Sequence, residues 1–213
     1  MMSLPNSTWI HKRLPKEAFY RKLSLNRSLK AKFISDVETI FIDNSLTMDN
    51  LNLQGNSDVE EILVVALTLK KQAFDSKILE AIARQNPHKL VFILMYEGVR
   101  QLAILHDKLY CTPWLPDCGI ALMATGSTLD EIWNGFVEQI ALRDERPGAT
   151  NRMTLEERLQ RHEKILNMEM AIQKMENAAW NEKQPKKKFE IFTKLKASQR
   201  ELQRWIEGES PHH

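Results

Sequence analysis

The chain has 213 residues, 43% of them hydrophobic, so it can bury a real core and is not globally disordered. Its two cysteines, Cys111 and Cys118, are too few for a disulfide scaffold and wrongly spaced for a zinc knuckle. No apolar run is long enough to span a bilayer and the start lacks the apolar core of a signal peptide, so the sequence predicts a cytoplasmic protein without membrane contact.

Net charge is only +2 but unevenly spread. Residues 11–32 hold Lys12, Arg13, Lys16, Arg21, Lys22, Arg27, Lys30 and Lys32 against Glu17 alone, a balance of +7. Residues 182–204 carry a balance of +5, which leaves −10 for the remainder. Two short basic segments on an acidic body predict a surface that meets an anionic partner, although a solvated helix face has the same composition.

In chain order, "LPNSTWIHKRLPKEAFY" reads as an extended arm punctuated by two prolines. Leu29, Phe33, Val37, Ile40 and Phe41 recur at helical spacing, and "DNSLTMDNLNLQGNSD" ends that pattern with turn formers. "VEEILVVALTLK" is an aliphatic, β-branched run and reads as a strand buried on both faces. Asp75 is placed to cap a short helix through "SKILEAIARQN", after which "KLVFILMY" and "RQLAILHDKLY" read as two strands of a hairpin. "TPWLPDCG" reads as a loop and "GIALMAT" as a further edge strand. "STLDEIWNGFVEQIALRD" is an amphipathic helix with Thr128 and Glu131 as a capping box.

Beyond "DERPGATN", which has the composition of a linker, the pattern changes. Thr154 and Glu157 form another capping box. Ile165, Met168, Ile172, Met175 and Ala179 then follow the 3-4 spacing of a coiled-coil seam. Pro185 breaks the run, and a second amphipathic helix completes an antiparallel hairpin, with Phe189 and Phe192 expected on its inner face. The fold class expected is thus α+β: a small mixed sheet with flanking helices over residues 1–146, a linker over 147–153, and a helical hairpin over 154–208.

Catalytic signatures are scarce. The seven glycines are scattered without a phosphate loop, and no histidine pair has metal-ligand spacing. Metal-dependent nucleases present an acid and then acid-x-Lys on the next strand, because two carboxylates hold the cation while the lysine positions water. Here Glu60 and Glu61 precede "TLK", and Thr68 stands where the second carboxylate is needed. No catalytic residue, metal or cofactor is therefore assigned. The candidate nucleic-acid contacts are Lys12, Arg13 and Lys16 on the arm and Lys186, Lys187 and Lys188 at the hairpin tip, since lysine and arginine supply most backbone contacts. Ile165, Met168, Ile172 and Met175 are the candidate partner surface.

"LPNST", "KRLPKEAFY", "VEEILVVALTLK", "ILEAIARQNPHKLVFILMY" and "EKQPKKKFEIFTKLK" together resemble, in order along most of the chain, a bacterial family of uncharacterised proteins, domain-of-unknown-function family 4391. The chain departs from that pattern at Thr68, where relatives tend to have an acid, and at "FIDNSL", where they tend to carry a tryptophan-like aromatic signature. The resemblance implies genes placed beside helicases and DNA methyltransferases. From it follows the expectation of a non-enzymatic accessory protein of a restriction-like or phage-defence system, docking a helicase-like or methyltransferase subunit and binding nucleic acid weakly and without sequence preference. A divergent or inactive metal-dependent nuclease subunit and a self-associating structural protein, a homodimer through the methionine-rich seam, remain the alternatives.

Overall fold

The computed structural model describes residues 4–17, 21, 23–117, 121–145 and 153–207. The chain divides into two compact units, Met1–Arg143 and Asp144–His213. The expected linker, apart from Met153, lies outside the described residues.

The first unit is a mixed sheet of seven strands among the described residues, with the order β1-β2-β3-β4-β5-β6 and β7 paired to β5. The strands are β1 (Trp9–Arg13), β2 (Val37–Leu46), β3 (Ile62–Leu69), β4 (Lys89–Tyr96), β5 (Val99–Leu105), β6 (Leu109–Cys111) and β7 (Leu115–Pro116). Only β3 and β4 are parallel, because only they are joined by a crossover helix, α2 (Lys77–Arg84). Ser76, not Asp75, is its N-cap residue, without a side-chain cap bond; Asp75 stands one residue earlier, its carboxylate accepting from the Lys77 N–H at 3.1 Å.

Sequence and structure part company at four places around the strands. Helix α1 spans Arg27–Asp36 and stops there, so Val37, Ile40 and Phe41 belong to β2 and not to a helix. Their spacing mimics a helical stripe because β2 bulges against β3 between Val37 and Thr39, which returns Val37 and Ile40 to one face. The "arm" contains a short 3-10 turn, Asn6–Thr8, followed by β1, an edge strand paired antiparallel to β2. "RQLAILHDKLY" holds two strands, β5 and β6, folded on each other across His106–Lys108. The extra edge strand is β7, at Leu115–Pro116 inside the expected loop; "GIALMAT" overlaps residues 118–120, which lie outside the described residues, and shows only an isolated bridge at Met123.

Each face of the sheet is covered differently. Val65, Leu67 and Leu69 of β3 and Leu90, Phe92 and Leu94 of β4 form one core with Phe33 of α1 and Ile78, Leu79 and Ile82 of α2. The opposite face carries Ile62, Val64, Ala66 and Thr68 of β3, in register with Lys89, Val91, Ile93 and Met95 of β4. Helix α3 (Leu129–Ala141) buries Leu129, Ile132, Trp133, Phe136, Val137 and Ile140, and packs against β5 and β6. Each such large apolar side chain contributes about 1.5–3 kcal/mol on full burial. Thr128 accepts from the Glu131 N–H, while Glu131 returns its hydrogen bond to Ser127 rather than to Thr128. The Lys89 ammonium lies 5.3 Å from the Trp133 ring centroid, which fixes α3 over the amino-terminal end of β4.

The second unit is a helical hairpin of α4 (Leu155–Asn181) and α5 (Pro185–Glu207), packed on each other. Thr154 and Glu157 make the reciprocal capping box at the start of α4, and Pro185 opens α5 at the position where its missing N–H costs nothing. Ile172 and Ala179 of α4 and Leu195 of α5 are the buried centre of the seam, with Ile165, Met168 and Met175 half-buried along it. Phe192 joins this seam as expected. Phe189 does not: it is 73% exposed, because Ile191 and Phe192 supply the inward positions and Phe189 falls on the outer side.

Candidate functional site

β1 is exposed at all five residues and forms the edge of the sheet. In its register with β2, Trp9 faces Asn44 while Lys12 faces Ile42. Ile10 and His11 therefore stand opposite Asp43 alone, a bulge. The bulge puts His11 at φ +44°, a left-handed conformation that costs a non-glycine residue about 1–3 kcal/mol. What holds it there is visible. His11 Nδ1 lies 2.9 Å from Asp43 Oδ1, and the imidazole is sandwiched between Trp9 (centroids 5.0 Å apart, planes at 4°) and Phe41 (4.6 Å, 12°). Behind the stack, buried Asn44 donates to the Thr8 hydroxyl at 2.8 Å.

This stack forms one wall of an open cavity of about 620 Å³ beside the second sheet face. Ala66, Ile93 and Met95 line it from the sheet, and Arg100 stands at its edge, in an ion pair of 2.8 Å with Asp117. The cavity lies toward the carboxyl ends of the parallel pair β3–β4, the end where open sheets containing parallel strands receive ligands. Helix α3 leaves it open, since it packs toward the other end.

The sequence-derived cations differ in what their side chains do. Lys12 and Arg13 are exposed, and neither side chain has a hydrogen bond or ion pair among the described residues. Lys16 is committed: its ammonium donates to the Ile34 carbonyl at 3.1 Å and to the Val37 carbonyl at 2.6 Å, at the carboxyl end of α1. Burial, and secondarily the positive charge of Lys70, hold its pKa below the ordinary lysine value. In the hairpin, Lys186 and Lys187 are exposed in the first turn of α5, and the Lys188 ammonium lies 5.9 Å from the exposed Trp180 ring. Ile165, Met168, Ile172 and Met175 are turned toward α5, which leaves Leu166, Met170, Trp180 and Phe189 as the exposed large apolar side chains among the described residues of the hairpin.

Residues 2–202 match the family model described as a domain of unknown function, DUF4391. The chain belongs to this family. No curated protein and no solved structure matches it.

In this family member the acid-x-Lys pattern is spread along a strand. Glu61 sits just before β3, where it accepts from the Ser45 hydroxyl and lies 3.4 Å from His88 Nδ1. Lys70 sits just after β3, its N–H bonded to the Asp36 carbonyl. Nine strand positions at about 3.3 Å each separate the two by roughly 30 Å, so they do not share one site. Thr68 lies on the open face and its hydroxyl accepts from that of Thr39 at 2.8 Å. Among the described residues no three His, Cys, Asp or Glu side chains are grouped to hold a metal, and no helix is long and apolar enough to cross a membrane.

The His11–Asp43 pair and its aromatic neighbours escaped sequence reasoning. Their signal is an i,i+2 pattern in two places, Trp9-x-His11 and Phe41-x-Asp43, which becomes meaningful only once both segments are known to be paired strands.

Proposed function

We propose that this protein is a non-enzymatic accessory component of a bacterial DNA-processing defence system that holds nucleic-acid backbone and docks a helicase-like or methyltransferase subunit. The observation that carries the nucleic-acid part is the edge strand β1, where Lys12 and Arg13, exposed and without a side-chain partner among the described residues, neighbour a stacked aromatic wall. Lys186, Lys187 and Lys188 support it. Cations in the first turn of a helix oppose the helix dipole, and a phosphate bound there would relieve that repulsion. Charge on an edge strand also discourages pairing with a second sheet, a role that needs no nucleic acid.

Fluorescence anisotropy with a labelled duplex and a labelled single strand separates the two roles. The proposal expects salt-sensitive binding, with non-specific affinity of about 10⁻⁴ to 10⁻⁶ M at physiological salt. Replacing Lys186, Lys187 and Lys188 with glutamate is expected to weaken it equally for unrelated sequences. No binding at low salt, or undiminished binding by the triple variant, returns these lysines to the role of a solvated helix face. The docking role is tested by affinity capture from the native host. Recovery of a helicase or methyltransferase is expected, and a self-associated chain alone would contradict it.

A further inference from the structure

The reading above uses exposed cations and leaves the cavity beside β1 without a role. We infer that this cavity receives one unpaired nucleobase of a single strand whose phosphates pass the edge strand β1 at Arg13. The inference rests on the nucleic-acid reading and adds the ligand class. Trp9 is stacked on His11 through one face yet remains 57% exposed, so its other face is open to a further flat ring. The floor is apolar. Ala66 and Ile93 are almost wholly buried beneath it, and half-buried Met95 is the apolar side chain of the sheet that a planar group would meet. At about 620 Å³ the space falls within the range of small-ligand sites, about 300–1,000 Å³.

Polar groups reach the same space. Asp43 engages His11 through one oxygen, and the second has no other partner among the described residues and can accept from the N–H edge of a base. Arg100 lines the same cavity beside Met95. The strain at His11 fits this arrangement. The bulge that imposes φ +44° is also what sets the imidazole between Trp9 and Phe41 and against Asp43. Arg13, in register with Phe41, stands on the cavity's face of the sheet, within about 7 Å of His11 along β1 at about 3.3 Å per strand residue, near enough to contact a phosphate flanking that base; Lys12, in register with Ile42, stands on the other face of the same edge strand.

The experiment uses the full chain and a short oligothymidylate carrying a single 2-aminopurine, compared with the same strand in which that position is abasic. The fluorescent base is expected to quench on binding. Removal of the base is expected to weaken affinity roughly ten-fold, the scale of one base–aromatic stack. Trp9→Ala should abolish the quench and Trp9→Phe should retain most of it; both changes are at an exposed side chain and leave the core intact. Equal, salt-sensitive affinity for intact and abasic strands would overturn the base site while leaving the backbone reading standing. A full quench in Trp9→Ala would place the base elsewhere and overturn it too. Absence of binding by either strand at low salt would remove both.

Discussion

Lys16→Met separates a structural lysine from its two neighbours. The Lys16 ammonium closes the end of α1 by donating to the Ile34 and Val37 carbonyls, while the Val37 N–H serves Phe33 and the Lys70 N–H serves Asp36. Methionine keeps the aliphatic stem and removes only the donor. A charge-assisted hydrogen bond contributes about 1.5–3 kcal/mol when desolvated, and Lys16 is only half-buried, so the net loss is placed at about 1–2 kcal/mol for the pair. In a chain of this size that lowers the melting temperature by roughly 2–8 °C. Lys12→Met and Arg13→Met, whose side chains have no partner among the described residues, should melt within about 0.5 kcal/mol of wild type. The assay is thermal unfolding followed by circular dichroism, with urea titration to convert midpoints to free energies. A Lys16→Met protein as stable as the other two would refute the reasoning and restore Lys16 to the list of free cations.

Gly126, at φ +154°, has no room for a side chain: a Cβ there would stand 2.8 Å from the Glu131 Cβ in the first turn of α3. Gly126→Ala is therefore expected to cost about 1–3 kcal/mol by urea titration, and an unchanged midpoint would contradict it. A chain ending at Arg143 retains the whole first unit and should unfold cooperatively; a truncated protein without a thermal transition would make the hairpin part of the body's core. Asp75 is held below its ordinary value of 3.8 by the hydrogen bond from Lys32 and then by the Lys77 N–H. Its contribution is therefore present above that value and lost as pH falls through the lower folded value, so Lys32→Ala should move the acid-unfolding midpoint to higher pH, and an unmoved midpoint would contradict the pairing.

The long-period features of the fold were legible in the sequence, because burial dictates them directly. β3 and β4 read as aliphatic runs since most positions on both faces of each are buried, and α3, α4 and the break at Pro185 declare themselves through caps, stripe and proline. β2 was not legible. Its bulges break the period of two that marks a strand, and its polar residues Asn44 and Ser45 are buried by pairing across the sheet rather than by their own chemistry. Losing β2 hid the site as well. Without it Trp9, His11, Phe41 and Asp43 are four unrelated residues, and β1 is an arm instead of an edge. Phe189 shows the same limit on a helix: lysine-rich flanks fix the amphipathic pattern, but which of Phe189, Ile191 and Phe192 turns inward depends on the rotation of α5 against α4.

Whether β1 grips phosphates is decided by the salt dependence of duplex binding. Each phosphate neutralised steepens the slope of log K against log salt by about 0.9. Lys12 and Arg13 are the two lysine or arginine residues of β1 and have no side-chain partner among the described residues, so Lys12→Glu/Arg13→Glu should flatten the slope by about 1.8 relative to wild type while leaving the melting temperature in place. A double variant with the wild-type slope and affinity would contradict the account.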